Sequence, residues 1–318
     1  MNIVLLETQS LGDDVDLSCF ERLGSVTKYS LTSKEEVAGR VEDADIVVAN
    51  KAPMCEDTLK DAKNLKLIAL TATGTNNIDF DYMKLRGIKV ANVKGYSTMS
   101  VVQHTFALLF YVYEKMRYYD EYVKLGGYCK SPVFSVFDKK FNELAGKKFT
   151  VVGLGDIGSK VIEVAKAFGC DVRYYSTTGN NNNSLYKRVS FDEMIKESDI
   201  ISIHAPLNET TRNMFGIEQF RNMKKEAVIL NLGRGGIINE KDLAIALKEE
   251  MIAGAGIDVV EVEPIREDNP LLEIKDSTKL VITPHIGWAT LEARTRVIEE
   301  VYLNIESFSM GENRNIVN

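Results

Sequence analysis

The search for a proton donor in this chain is short, because it holds only three histidines, His104, His204 and His285, and histidine is the side chain that ordinarily titrates near neutral pH. His104 lies inside a mostly apolar stretch, residues 98–116, and reads most simply as a packed, hydrogen-bonded core residue. His204 ends the apolar run 200–203 beside Ala205 and Pro206, where it could touch a cofactor. His285 also ends a short apolar run, with Pro284 stiffening the loop before it and Gly287 opening the loop after it. Two charged residues make His285 the strongest candidate. Arg234 stands between Gly233 and Gly235 after another apolar run, a place from which a guanidinium fork can grip a carboxylate through paired hydrogen bonds. Glu263 follows the run ending at Asp258, within plausible reach of His285. A carboxylate beside an imidazole favours its charged form, which suits an acid that protonates a carbonyl oxygen during hydride transfer. The plainer alternative is one turn arginine and one surface glutamate.

A cofactor for such a transfer has an obvious seat. Phe149-Thr150-Val151-Val152 is a short β-type run that breaks into Gly153-Leu154-Gly155-Asp156-Ile157-Gly158 where the pattern turns helical. In that arrangement Gly153 permits the tight turn, Gly155 lets the backbone approach a pyrophosphate, and Gly158 lets the helix pack close to its strand. Free N–H groups at the helix start would meet the phosphates.

Around this loop the chain alternates between strand-like and helix-like stretches. Strands are expected at 2–6, 45–49 and 65–70, with a helical pattern at 17–23, and then, beyond the glycine loop, at 171–175, 200–203, 227–231, 253–258 and 280–282. Such alternation argues a parallel sheet with helices on both faces, in which ligands bind at the carboxyl ends of strands. Asn50 and Lys51, and Thr73, Gly74 and Thr75, end strands of the first group and lie where a small molecule could reach them, or else are ordinary connections. Residues 98–116 predict one uninterrupted helix. The aromatic stretch after it, through Tyr118, Tyr119, Tyr122, Tyr128, Phe134 and Phe137, has little regular periodicity and reads as an arm covered by a partner subunit or as a loop folded on its own domain. Asn180 to Asn183 reads as a solvated loop tip, and a last helix near 291–308 has no assigned domain.

Length and composition set the bounds. A chain of 318 residues suggests about two domains. Lys and Arg total 39 against 46 Asp and Glu, a net charge of −7, which argues against an electrostatic grip on nucleic acid or an anionic membrane. Cys19, Cys55, Cys129 and Cys170 are scattered without metal-ligand or disulfide spacing, so free thiols in a reducing cytoplasm are expected and a metal site is not. No leader and no membrane span is expected, since no apolar stretch approaches about 20 residues.

Taken in order, the glycine loop, Asn231-Leu232-Gly233-Arg234-Gly235, the stretch from Asp258 to Glu263-Pro264, and Pro284-His285-Ile286-Gly287-Trp288-Ala289 resemble the D-2-hydroxyacid dehydrogenases from end to end. The resemblance implies an α/β protein of two doubly wound parallel-sheet domains. A Rossmann NAD(P)-binding domain at 99–288 would be inserted in a flavodoxin-like substrate domain made of 1–98 plus 289–318, with homodimers forming through the cofactor domain. It implies that Arg234 binds the substrate carboxylate and carbonyl, that His285 is the general acid/base, and that Glu263 orients and charges that histidine. Asp258 would hold the carboxamide side of the nicotinamide. The cofactor would further meet Gly153, Gly155, Asp156, Ile157, Gly158, Ser176, Thr177, His204, Ala205, Pro206, Leu232, Gly233 and Gly287, and the substrate Asn50, Lys51, the amides of Thr73, Gly74 and Thr75, and Trp288. Asn50-Lys51-x-Pro53, the run 100–109 and Trp288 are similar to glycerate dehydrogenases, also called hydroxypyruvate reductases. A D-lactate-type enzyme acting on pyruvate or a branched 2-oxoacid is the second reading, with Trp288 narrowing the pocket against it. A nucleotide-sensing corepressor, which uses the same fold, is the third.

One position departs from the family pattern. Where NAD-preferring members carry Asp at the end of the second cofactor strand, this chain has Ser176, followed by Thr177 and Thr178. Without the carboxylate a 2′-phosphate is not repelled, while Lys187 and Arg188 lie further along. The expectation is a relaxed preference that keeps NADH and admits NADPH.

Overall fold

The computed structural model describes residues 1–318. The chain divides into two compact units, residues 1–97 with 289–318, and residues 98–288.

The first unit holds a five-stranded parallel sheet: β1 (Asn2–Leu5), β2 (Ser25–Lys28), β3 (Ile46–Ala49), β4 (Leu67–Leu70) and β5 (Lys89–Ala91), in the order β2-β1-β3-β4-β5. That order is the flavodoxin-like arrangement. β3 and β4 read IVVA and LIAL and are buried at every position, the continuous apolar pattern of a strand covered on both faces. The first unit is completed by the helix Leu291–Ser309, which packs on β4. Its Arg294 donates to the Leu11 carbonyl at 2.8 Å and pairs with Asp14. Thus the last helix, which patterning alone left unassigned and the family resemblance placed with the first domain, belongs to the first sheet. After it, residues 315–318 run antiparallel beside β5: the Val317 amide donates to the Val90 carbonyl at 2.9 Å, and Asn318 Oδ1 accepts from the Val90 amide at 2.8 Å.

The second unit holds seven parallel strands: β6 (Lys148–Val152), β7 (Asp171–Tyr175), β8 (Lys187–Arg188), β9 (Ile200–Ile203), β10 (Val228–Asn231), β11 (Gly254–Ile257) and β12 (Leu280–Ile282). Their order, β12-β11-β10-β9-β6-β7-β8, is that of the dinucleotide-binding doubly wound fold extended by one strand, with the order reversing between β6 and β9. Alternate side chains feed two cores, Ile229 on one face of β10 and Val228 with Leu230 on the other. Each fully buried aliphatic of this kind contributes about 1.5–3 kcal/mol.

The helix Thr98–Tyr113 crosses β11 closely, because β11 presents glycines to it. A Cβ on Gly256 would lie 3.0 Å from Leu108 Cβ, and one on Gly254 would lie 2.4 Å from Val112 Cγ1. One turn before Leu108, this helix carries His104.

Three expectations are corrected. The expected helix at 98–116 ends at Tyr113, because Lys115 adopts a left-handed conformation, φ 58°, from which a second helix, Met116–Lys124, departs. The start of the aromatic arm is therefore helical; beyond it Phe134 and Phe137 are strongly exposed. The pattern at 17–23 forms only a 3₁₀ turn, Ser18–Arg22, and β2, β5 and β8 complete sheets that sequence patterning left short.

Candidate active site

The candidate side chains of the second unit emerge at the carboxyl ends of β6, β10, β11 and β12. At the end of β6, Gly158 is obligatory: a Cβ there would meet the Gly153 carbonyl oxygen at 2.1 Å. A Cβ on Gly155, in contrast, would find nothing within 4 Å. The helix Asp156–Ala167 starts directly after it, and the amides of Gly155, Asp156 and Ile157 donate to no protein acceptor. Open space, a close backbone and free N–H groups at a helix start fit a pyrophosphate. Those amides would hold the cofactor there.

Across the sheet, His285 follows β12 with a φ of 55°, a left-handed conformation in which histidine is over-represented among non-glycine residues. Its amide is held by the carbonyls of Asp258 and Thr283, both at 2.9 Å. The imidazole Nδ1 meets Glu263 Oε2 at 2.8 Å, with the two side chains 28% and 30% exposed. With Nδ1 committed to the carboxylate, Nε2 has no protein partner and is the nitrogen free to pass a proton outward. Glu263 also accepts from the Val260 amide at 3.4 Å.

Beneath this pair sits Asp258, 3% exposed. It accepts from the Ile286 and Gly287 amides, both at 2.9 Å, and from the Thr283 hydroxyl at 2.6 Å. His104 Nε2 is 2.9 Å from the Thr283 hydroxyl and 3.4 Å from Asp258 Oδ1. Since that hydroxyl gives its one proton to Asp258, it accepts from His104, which fixes a proton on Nε2. Burial alone would push the Asp258 carboxyl up, but hydrogen bonds from His104, Thr283, Gly287 and Ile286 outweigh it and hold the group below the ordinary carboxylate value. His104 is hydrogen-bonded, as expected of it, but it is half-buried rather than a core residue and belongs to this network. Nothing local announces the link, as His104 and Asp258 are far apart in sequence.

Arg234 lies in the turn after β10. Buried Asn231 braces that turn, accepting from the Gly233 amide at 3.1 Å and donating to the Arg234 carbonyl at 2.9 Å. The guanidinium is exposed, donates to the Gly233 carbonyl at 2.8 Å and pairs with no carboxylate. Asn231 was legible only as part of a motif.

Other expected residues are placed differently from one another. The Gly287 amide is spent on Asp258 and the Leu232 amide on the Ile203 carbonyl at 3.3 Å. Trp288 is half-buried against the core that includes Val101 and Leu232. His204 Nε2 meets the Ser202 hydroxyl at 2.8 Å, while Nδ1 is sealed and unpartnered although the residue as a whole is half-buried. Burial holds this imidazole down at about 3. Ala205 is buried and Pro206 exposed.

In the first unit, the amides of Asn50, Lys51 and Ala52 all donate to the Glu7 carboxylate, at 2.8 to 3.1 Å. That leaves only side chains on this turn to meet a ligand. Thr73, Gly74 and Thr75 differ: their amides donate to no protein acceptor, while the Thr73 hydroxyl is tied to the Val93 carbonyl at 2.6 Å. Consecutive free amides form a concavity suited to an anion.

Residues 106–287 match the family described as "D-isomer specific 2-hydroxyacid dehydrogenase, NAD binding domain". The chain belongs to the D-isomer-specific 2-hydroxyacid dehydrogenases. It is 38% identical to a hydroxypyruvate reductase of Blautia hydrogenotrophica over the whole of both chains. Among solved structures, a D-lactate dehydrogenase of Aquifex aeolicus with NAD and lactic acid has a TM-score of 0.85 at 27% identity, covering 98% of this chain and 96% of that one. An acyclic imino acid reductase with NADPH and D-Arg has a TM-score of 0.87 at 28% identity over all of both chains. This dehydrogenase thus has the family's two parallel-sheet α/β domains, and no helix of it is long and apolar enough to cross a membrane.

Proposed function

We propose that this dehydrogenase reduces a small 2-oxoacid, hydroxypyruvate or glyoxylate, to the D-2-hydroxyacid with a nicotinamide cofactor. The observation that carries the reading is the His285–Glu263 pair at 2.8 Å, with Nε2 left free, at the end of β12. A bound reduced nicotinamide supplies the hydride to the carbonyl carbon. His285 Nε2 gives the proton to the carbonyl oxygen, while Glu263, at 2.8 Å from Nδ1, keeps the imidazole oriented. Arg234 takes the substrate carboxylate, and Asp258 holds the carboxamide side of the nicotinamide. From the first unit, the amides of Thr73, Gly74 and Thr75 are assigned to substrate carboxylate binding, with Asn50 and Lys51 contributing side chains. Trp288 limits the size of the substrate.

NADH and NADPH are both accepted in this reading, as Ser176 brings no carboxylate to the second cofactor strand. The enzyme acts as a homodimer, because Phe134 and Phe137, 90% and 82% exposed, call for a covering surface. Its four free cysteines suit a reducing cytoplasm.

Initial rates of NADH and NADPH oxidation with hydroxypyruvate, glyoxylate and pyruvate in parallel test the proposal. Fastest turnover with hydroxypyruvate or glyoxylate is expected. A pyruvate rate ten times either would move the assignment to a D-lactate-type enzyme, and an absence of turnover with all three would leave a nucleotide-sensing role.

A further inference from the structure

The short strand β8 brings a cation to a place that sequence reading left without one. Across the parallel ladder Lys187 pairs with Arg173 and Arg188 with Tyr174, so Arg188 and Tyr174 share a face of the sheet. The intervening loop leaves at Ser176 and returns, and a Cβ at Gly179 would lie 3.6 Å from Arg188 Nη2. Arg188 is therefore beside the turn after β7, not further on. Its Nη1 donates to Asn182 Oδ1 at 2.9 Å, and it makes no ion pair; Lys187, in contrast, is taken by Glu193 at 2.5 Å. No Asp or Glu occurs between Tyr175 and Phe191 to neutralise it.

The turn itself offers protons. Ser176 is 6% exposed and its oxygen accepts from the Asn181 amide at 3.3 Å; the Thr178 oxygen accepts likewise from the Asn180 amide at 3.3 Å. Both hydroxyl protons remain to be given elsewhere. The expected solvated tip is in fact pinned to the cofactor loop, since Asn181 Nδ2 donates to the Leu154 carbonyl at 2.9 Å. In this fold the end of the second strand, next to the glycine loop, is where the adenosine ribose lies; a carboxylate there takes its 2′-hydroxyl, and an arginine accommodates a 2′-phosphate.

We propose that Arg188, with the hydroxyls of Ser176, Thr177 and Thr178, forms a subsite for the 2′-phosphate of a phosphorylated dinucleotide. The inference rests on the reading that the glycine loop binds the cofactor. A dianionic group beside an unpaired guanidinium gains charge-assisted hydrogen bonds that a bare 2′-hydroxyl does not.

The test is isothermal titration of the full chain with adenosine 2′,5′-bisphosphate and, separately, with 5′-AMP. The bisphosphate is expected to bind roughly tenfold or more tightly than AMP, the gap narrowing as salt is raised. Arg188→Gln should erase the gap while leaving AMP affinity within about twofold, and Ser176→Asp should reverse it by repelling the phosphate. Equal affinities in the unaltered chain, or an Arg188→Gln loss shared by both ligands, would overturn the subsite. Binding of neither ligand would instead overturn the cofactor reading on which it stands.

Discussion

The two ends of the seven-stranded sheet are built on different principles. At the β11–β12 end, Asp258 is buried under four donors, and His285 is held by its backbone and by Glu263. At the β7–β8 edge, the loop from Ser176 to Asn183 is tied by neutral amide and hydroxyl bonds, and Arg188 is exposed. On the proposed function a proton leaves His285 along one direction, so that group gains from being over-determined. A ribose substituent needs only the right charge nearby, and an open loop supplies that.

The contrast can be broken most severely at its rigid end. Replacing His285 with Ala should lower turnover by roughly 10²- to 10⁴-fold; a loss under threefold would remove it as the acid. Glu263→Gln keeps the shape but not the charge, and kcat should fall by roughly ten- to a hundredfold with cofactor KM little changed. His104→Leu leaves the Thr283–Asp258 pair short of a donor, and urea denaturation should show a loss of about 1.5–3 kcal/mol.

His204 tests the middle of the sheet. Its folded value of about 3 lies below the ordinary 6.5, so the unfolded chain takes up a proton first as the medium is acidified. The stability this contributes is complete above about pH 6.5 and is lost on the way down toward pH 3. Between pH 7 and pH 5 the native protein should lose up to about 2 kcal/mol that a His204→Asn variant does not. The smallest effect belongs to the open end. Asn181→Ala frees the loop from Leu154, and kcat for the oxoacid should stay within about threefold while KM for the cofactor rises.

What could be read from the sequence divides along the same line. The strands β3 and β4 are continuous apolar runs, and β9 and β10 are interrupted only by Ser202 and Asn231, because both faces are covered, and the glycine loop carries its reasons in its spacing. By contrast β2 reads SVTK with no fully buried residue, and β8 is two exposed residues; both are strands only because a neighbour pairs with them. The helix break at Lys115 has no glycine or proline to mark it. Arg234, Glu263 and His285 were visible as strand-end polar residues in an apolar chain. His104 was not, since its partners Thr283 and Asp258 reach it only through folding, and Arg188 needed the register of β8 to return it to Ser176.

The strap of residues 315–318 along β5 has a consequence for how copies of this protein meet one another. A sheet edge with unpaired amides and carbonyls is a template for another strand. Here the Val90 amide and carbonyl are both taken by the strap, so the outer row of the first sheet is closed by its own chain. Clipping those residues would leave an apolar strand ready to pair with its neighbour in solution, and self-association at that edge would follow while the chemistry at the other sheet was untouched.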